Sequence, residues 1–118
     1  MMKLLMILND PPYGTERVYN ALRLATNLLA KAEGAEISLF LLGDGASAAK
    51  SGQQTPNGYY NVERMLASVS RKGGTVKVCG TCMDARGLKD AELVEGASRS
   101  SMDELGELTV HSDKVLVF

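Results

Sequence analysis

The sequence predicts an α/β sandwich built on a mostly parallel sheet. Three observations carry that reading. Apolar runs of strand length recur at Lys3 to Asn9, Glu36 to Leu42, Thr75 to Val78 and Lys114 to Phe118. Stretches with helical apolar spacing lie between them. Polar, glycine-containing turns punctuate the junctions. Strands alternating with helices in this way give parallel strands in one sheet with helices packed on it.

Lys3 to Asn9 is apolar throughout, as expected of a central strand covered on both faces. Asp10-Pro11-Pro12-Tyr13-Gly14 ends it, because two prolines cannot continue a ladder. Thr15 reads as the N-cap of the next helix, with Glu16 favourably placed against the dipole. Val18, Ala21, Leu22, Ala25, Leu28, Leu29 and Ala32 form one apolar face, and the helix is expected to end near Gly34. Glu36 to Leu42 is the second strand, followed by the Gly43-Asp44-Gly45 loop and a short helix at Ala46 to Lys50. Ser51 to Gly58 is the most loop-like stretch, a lid or a plain connection, and Tyr59 and Tyr60 end it. Val62, Met65, Leu66 and Val69 mark a further helix stopped by Gly73-Gly74. Leu93-Val94 reads as a brief strand or the end of a helix. Ser101 and Glu104 form a capping box for a helix through Met102, Leu105 and Leu108. Lys114 to Phe118 is the last strand.

The 118 residues make one domain, 1–118, with a formal net charge of −1. That balance argues against a nucleic-acid partner, which draws an excess of positive charge. No apolar run approaches the roughly 20 residues that cross a bilayer. Met1 to Leu8 is too short for a signal peptide, so the expected location is the cytoplasm, with no membrane partner. Cysteines there are more often reduced, metal-binding or catalytic than structural staples.

Both cysteines fall in one stretch, Val76 to Gly87, V-K-V-C-G-T-C-M-D-A-R-G. A strand that turns into a helix leaves backbone N–H groups unpaired at the turn, and these favour a thiolate. Cys79, at the strand end, is the expected nucleophile; Cys82, about one turn on, is an auxiliary or resolving thiol. Arg86 is placed to stabilise the anion, or else forms a surface ion pair with Asp84. Asp84 is expected to face Arg86 or cap local N–H groups, since an unpaired carboxylate would raise a nearby thiol. Asp10, Gly14, Asp84 and Gly87 are binding candidates, because Asp10 to Gly14, Gly43 to Gly45 and Cys79 to Gly87 all follow strand carboxyl ends and are expected to share one rim. C-x-x-C supports a dithiol, half a metal site or a persulfide carrier. A tetrahedral zinc site needs four ligands; there is no second C-x-x-C, and His111 is far along the chain. His111 is expected at a helix C-terminus, interacting with the dipole. No metal site within the chain, no nucleotide loop and no organic cofactor are expected; Gly43-Asp44-Gly45 lacks a G-K-[ST] ending.

P-P-Y-G at 11–14, N-A-L-R-L-A at 20–25, G-Y-Y-N at 58–61, C-G-T-C-M-D-A-R-G at 79–87 and S-D-K-V-L-V-F at 112–118 resemble the DsrE/DsrF-like family, in its YchN-like branch. The resemblance runs nearly the full length, and the C-x-T-C-x-D-x-R-G run is its specific part. It implies a three-layer α/β/α sandwich with a five-stranded parallel sheet. It also implies a homo-oligomer, a trimer or a hexamer of two stacked trimers. In sulfur-relay relatives one cysteine after the corresponding strand carries persulfide sulfur, and that position falls on Cys79. This chain departs from them in carrying Cys82 as well. The expected function is sulfur relay, a persulfide carrier or sulfurtransferase-like protein with donor and acceptor proteins as partners. The alternatives are an oligomeric binding module for a small ligand or an inter-subunit metal, and a dithiol redox protein.

Overall fold

The computed structural model describes residues 1–31, 33–56 and 60–118. Ala32, expected at the end of the first helical stripe, and Gly58 and Tyr59, at the end of the polar loop, lie outside the described residues. Five strands form one sheet: β1 (Met2–Leu8), β2 (Ala35–Leu41), β3 (Thr75–Cys79), β4 (Ala97–Ser100) and β5 (Lys114–Val117). Their order is β4-β3-β2-β1-β5, and all four pairings are parallel. The chain steps in one direction from β1 to β4, then returns across the sheet to lay β5 beside β1. Right-handed crossovers of opposite direction place their helices on opposite faces.

The packing follows that rule. Helices α1 (Arg17–Ala30) and α2 (Val62–Arg71) cover one face, where Leu4, Met6, Leu8, Ile37, Leu39, Leu41, Val76 and Val78 meet Val18, Leu22, Leu66 and Val69. Helix α4 (Met102–His111) stands on the other face over a small core of Leu5, Phe40, Cys79 and Leu105. Odd and even positions of each central strand thus enter different cores, which is why β1 reads as continuously apolar. Burial of this surface drives the fold; Leu5, Phe40, Leu22 and Leu66 are completely inaccessible to solvent.

Several boundaries differ from expectation. Helix α1 begins at Arg17, with Glu16 at the cap position; Thr15 Oγ1 accepts from Arg17 N–H at 3.3 Å and donates to Asp10. It ends at Ala30, where Lys31 turns to extended backbone, four residues before Gly34. The segment after β2 is a 3-10 turn, Gly43–Ala49, rather than an α-helix at 46–50. Its Gly45 lies so close to β1 that a Cβ would stand 2.1 Å from the Leu8 carbonyl oxygen, so the tight winding there requires glycine. Leu93 does end a helix, as the C-cap of a short 3-10 turn, Asp90–Glu92, its N–H bonding the Asp90 carbonyl at 3.2 Å; Val94 lies in neither strand nor helix. Leu93 makes an isolated bridge to Lys50, Val94 is buried in the main core, and the fourth strand is Ala97–Ser100. That strand pairs only with β3 and is largely exposed, so it needs no apolar pattern. The capping box of α4 is half formed. Ser101 Oγ accepts from Glu104 N–H, but the Glu104 carboxylate turns to the Ser100 hydroxyl and to Lys77. No described helix is long and apolar enough to cross a membrane.

Candidate functional site

The carboxyl ends of β1, β2 and β3 are neighbours, so the three loops leaving them meet on one rim. Gly45 N–H donates to the Asn9 carbonyl at 3.2 Å, which joins the first loop to the second. Gly43 N–H donates to Cys82 Sγ at 3.1 Å, which joins the second to the third. Cys79 closes β3, and a short helix α3 (Gly80–Ala85) starts immediately after it. Met83, fully buried, anchors this helix in the main core. Six residues are too few to hold a helix without such packing.

Cys79 Sγ sits in the angle between strand and helix. The Thr81 hydroxyl lies 3.2 Å from it, and Cys82 N–H donates to it at 3.4 Å. Its side chain faces the α4 layer and is only 3% exposed, whereas Cys82 is half-buried. Burial alone would suppress the Cys79 thiolate. Hydrogen bonds from the Cys82 thiol, the Thr81 hydroxyl and the backbone N–H groups of both residues overcome it and bring Cys79 below the ordinary cysteine range. Cys82 moves the opposite way. Burial and its hydrogen bond to Cys79 push it up; the Gly43 N–H opposes this, the charge of Cys79 adds to it, and Arg86 opposes it weakly. Neighbouring thiols have been set apart, the inner one more acidic and the outer one less so.

Arg86 does not pair with Asp84. Its guanidinium holds Asp44 Oδ1 at 2.8 Å and 3.2 Å and donates to the Cys82 carbonyl at 3.1 Å. Its charge therefore lies one turn from Cys82 along the same segment and is shared with Asp44 on the loop after β2. Asp84 faces away from Arg86, towards β4, where Arg99 takes both its oxygens at 3.0 Å and 2.7 Å. That bidentate pair holds the Asp84 carboxyl below the usual carboxylate range. Gly87, with φ +64°, ends the segment as its N–H bonds the Asp84 carbonyl.

Asp10 and Gly14 lie on the adjoining loop and not at the thiols. The Asp10 carboxylate accepts from Thr15 and pairs with Arg17 at 3.7 Å. The reversal of strand order falls between β1 and β5, the usual place for a ligand in such sheets, yet Asn9 N–H is bonded to the Phe118 carbonyl there. The thiols stand two strands away. His111 ends α4 and its Nδ1 lies 2.8 Å from the Glu107 carbonyl, far from the cysteines in role. Among the described residues no group of three or more His, Cys, Asp or Glu side chains is arranged to hold a metal ion. A surface groove lined by Tyr19, Arg23, Tyr60, Arg64 and Met65 lies between α1 and α2, and its described lining includes neither cysteine.

Sequence reasoning placed Gly43 to Gly45 on the shared rim without giving Gly43 or Asp44 a role there, and it missed Thr81 and Arg99. Thr81 stood inside the C-x-T-C run, and a hydroxyl two residues after a strand-end thiol was a usable signal. Arg99 gave none, because its strand carries no apolar pattern.

A model of the DsrE/DsrF-like family matches residues 2–118. The chain is 43% identical to the uncharacterized protein MJ0989 of Methanocaldococcus jannaschii over 117 residues, covering 99% of this chain and all of that one. It is 36% identical to protein YchN of Escherichia coli over 118 residues, covering the whole of both. The crystal structure of the Escherichia coli YchN protein superposes with a TM-score of 0.92 over the full length of both chains, at 36% identity. MTH1491 of Methanobacterium thermoautotrophicum, described as of unknown function, shares the fold at a TM-score of 0.79 and 14% identity over the full length of both.

Proposed function

The chain belongs to the DsrE/DsrF-like family, and on that premise we propose that it is a persulfide carrier of the cytoplasm, with Cys79 as the sulfur-accepting nucleophile. The observation that carries the reading is the set of donors around Cys79 Sγ, the Thr81 hydroxyl at 3.2 Å and Cys82 N–H at 3.4 Å, which favour its thiolate. The thiolate attacks the outer sulfur of a donor persulfide, R–S–SH. The donor S–S bond breaks, R–S⁻ leaves, and Cys79–S–SH forms. An acceptor thiolate then takes the outer sulfur and regenerates the Cys79 thiolate. Each step is a thiol exchange and needs no organic cofactor. The same donors that stabilise the thiolate stabilise the persulfide anion. Donor and acceptor proteins are the partners of this cycle.

A self-associated carrier is part of the proposal. Helix α4 alone covers its face of the sheet, and Met102, Val110, Val115 and Val117 remain exposed there. A trimer or a hexamer would cover such surface. Light scattering that returns a monomer at micromolar concentration would remove this part.

Intact-protein mass after incubation with a small persulfide donor tests the carrier reading. Wild type should gain one sulfur atom on Cys79. Cys79→Ser should gain none, and Cys82→Ser should keep the gain. A second reading, a dithiol–disulfide couple, draws on the closeness of the two cysteines, with Cys82 N–H donating to Cys79 Sγ at 3.4 Å. It predicts loss of two hydrogens on oxidation, abolished by either substitution, with no sulfur taken up.

A further inference from the structure

Helix α3 presents Thr81 and Cys82 N–H to Cys79, yet it is only six residues long. Its orientation must be set from outside. One side is held by Arg86 on Asp44. The other is held by Arg99, which reaches over from β4. A Cβ on Gly80 would stand 2.9 Å from Arg99 Nε, 3.0 Å from its Cζ and 3.0 Å from the Ser100 carbonyl oxygen. Gly80 is therefore the first residue of α3 because the guanidinium lies against its bare backbone. Beyond Gly80 the guanidinium takes both oxygens of Asp84, one turn further along the same helix, and stands 3.6 Å from Asp90. Arg99 thus touches both ends of α3 while its own backbone is fixed in the sheet beside Val78.

We propose that Arg99 is the positioning residue of the Cys79 site, clamping α3 through Gly80 and Asp84 so that the Thr81 hydroxyl and Cys82 N–H stay aimed at Cys79 Sγ. The planar fork of arginine suits this task; lysine offers one charged point and cannot take both oxygens and lie flat on Gly80. Arg99 acts through the helix and not by its own charge, which Asp84 and Asp90 largely neutralise. The other charged or titratable groups around Cys79 are Cys82 and Arg86 on α3, Asp44 on the loop after β2, Lys77 on its own strand, and Glu104 on α4, paired with Lys77.

The inference rests on Cys79 being the reacting thiol, so the experiment reads that thiol directly and not sulfur uptake. The rate of iodoacetamide alkylation is followed against pH and assigned to Cys79 by peptide mapping. Two mechanisms give opposite signs for Asp84→Asn. Loss of a negative charge through space would make Cys79 more acidic; loss of the clamp makes it less acidic. The clamp predicts that Arg99→Gln and Asp84→Asn both move the profile to higher pH, leaving roughly threefold to tenfold less thiolate at neutral pH, the change expected when a hydrogen bond to the anion is lost. Arg99→Lys should fall short of wild type although its charge is kept. The double variant Arg99→Gln/Asp84→Asn should be no worse than either alone. If Asp84→Asn shifts the profile to lower pH, or Arg99→Lys matches wild type, the clamp is wrong. Should Arg99→Gln fail to fold, Asp84→Asn decides alone, because Asp84 is on the surface. A persulfide carrier without the clamp would still take up sulfur with an unmoved profile in these variants. A clamp without carrier function would move the profile with no sulfur taken up by wild type.

Discussion

Replacing Thr81 with valine removes one oxygen and keeps the β-branch. The hydroxyl lies 3.2 Å from Cys79 Sγ and either atom can donate while the thiol is protonated. Once Cys79 is a thiolate only the hydroxyl can donate, so the bond favours the charged form. Thr81 is exposed, and Cys82 N–H still donates to the sulfur at 3.4 Å, so the net value of the lost bond is at the modest end, about 1 kcal/mol. That corresponds to about fivefold less thiolate at any pH below the titration. A more basic thiolate is also a better nucleophile, with a Brønsted slope of about 0.4–0.5, which returns about a factor of two in rate. Alkylation of Cys79 in Thr81→Val should therefore be about two- to threefold slower on the acidic limb and about twofold faster on the alkaline plateau. The two profiles must cross. The fold should be unaffected within about 0.5 kcal/mol, since the site is on the surface. A profile that coincides with wild type, or one displaced to lower pH, would refute the role given to the hydroxyl.

Arg86→Ala should make Cys82 less acidic, because the guanidinium pulls Cys82 down; mapping of the alkylated Cys82 peptide against pH reads this, and loss of the fold would make Arg86 a structural ion-pair residue. Leu105→Ala removes the α4 side chain that packs in the small core with Cys79; it should cost about 2–5 kcal/mol in urea unfolding and speed alkylation of the buried thiol. Asp84 is held below the ordinary carboxylate range by Arg99, so its contribution to stability is present above the unfolded carboxylate value and is lost as pH falls through the depressed folded value. The difference in melting midpoint between wild type and Asp84→Asn should shrink to nothing across that acidic window. A persulfide on Cys79 should be shorter-lived as pH rises, because Cys82, raised above the ordinary thiol range, becomes a thiolate only there and then displaces HS⁻ from Cys79–S–SH as the disulfide forms; intact mass after loading reads the loss, and Cys82→Ser should remove its pH dependence.

What the sequence disclosed depended on which interactions leave a local trace. Leu4, Leu5, Met6 and Leu8 are buried on two faces, so β1 appears as an unbroken apolar run. The stripe Val18, Leu22, Ala25 marks α1 because one face packs on the sheet. Cys79 and Cys82 could be placed at a strand end because Val76 and Val78 precede them. The edge strand β4 has the sequence Ala-Ser-Arg-Ser; its ladder with β3 is made by backbone groups, which every residue carries. Misplacing that strand hid Arg99, and with it the partner of Asp84. Asp84 and Arg86 are two residues apart and invite pairing on paper, but helical geometry points such residues to different sides. One then finds Asp44 after β2 and the other Arg99 on β4.

The separation of the two thiols bears on which chemistry the site is suited to. A dithiol that cycles through a disulfide works best when the attacking partner is readily ionised near ambient pH. Here the partner that would attack is Cys82, and its surroundings oppose ionisation. A carrier has other requirements. Its sulfur must accept readily, which favours a thiolate, and must then leave readily when an acceptor attacks the outer atom, which favours the same low basicity. Cys79 meets both through one set of donors, Thr81 and Cys82 N–H. Cys82 contributes by staying protonated: its surroundings oppose ionisation, and a protonated thiol cannot attack Cys79. Its own sulfur is occupied by Gly43 N–H from the neighbouring loop. Placing that loop against α3 through Arg86 and Asp44 thus ties the restraint on Cys82 to the same rim that assembles Cys79.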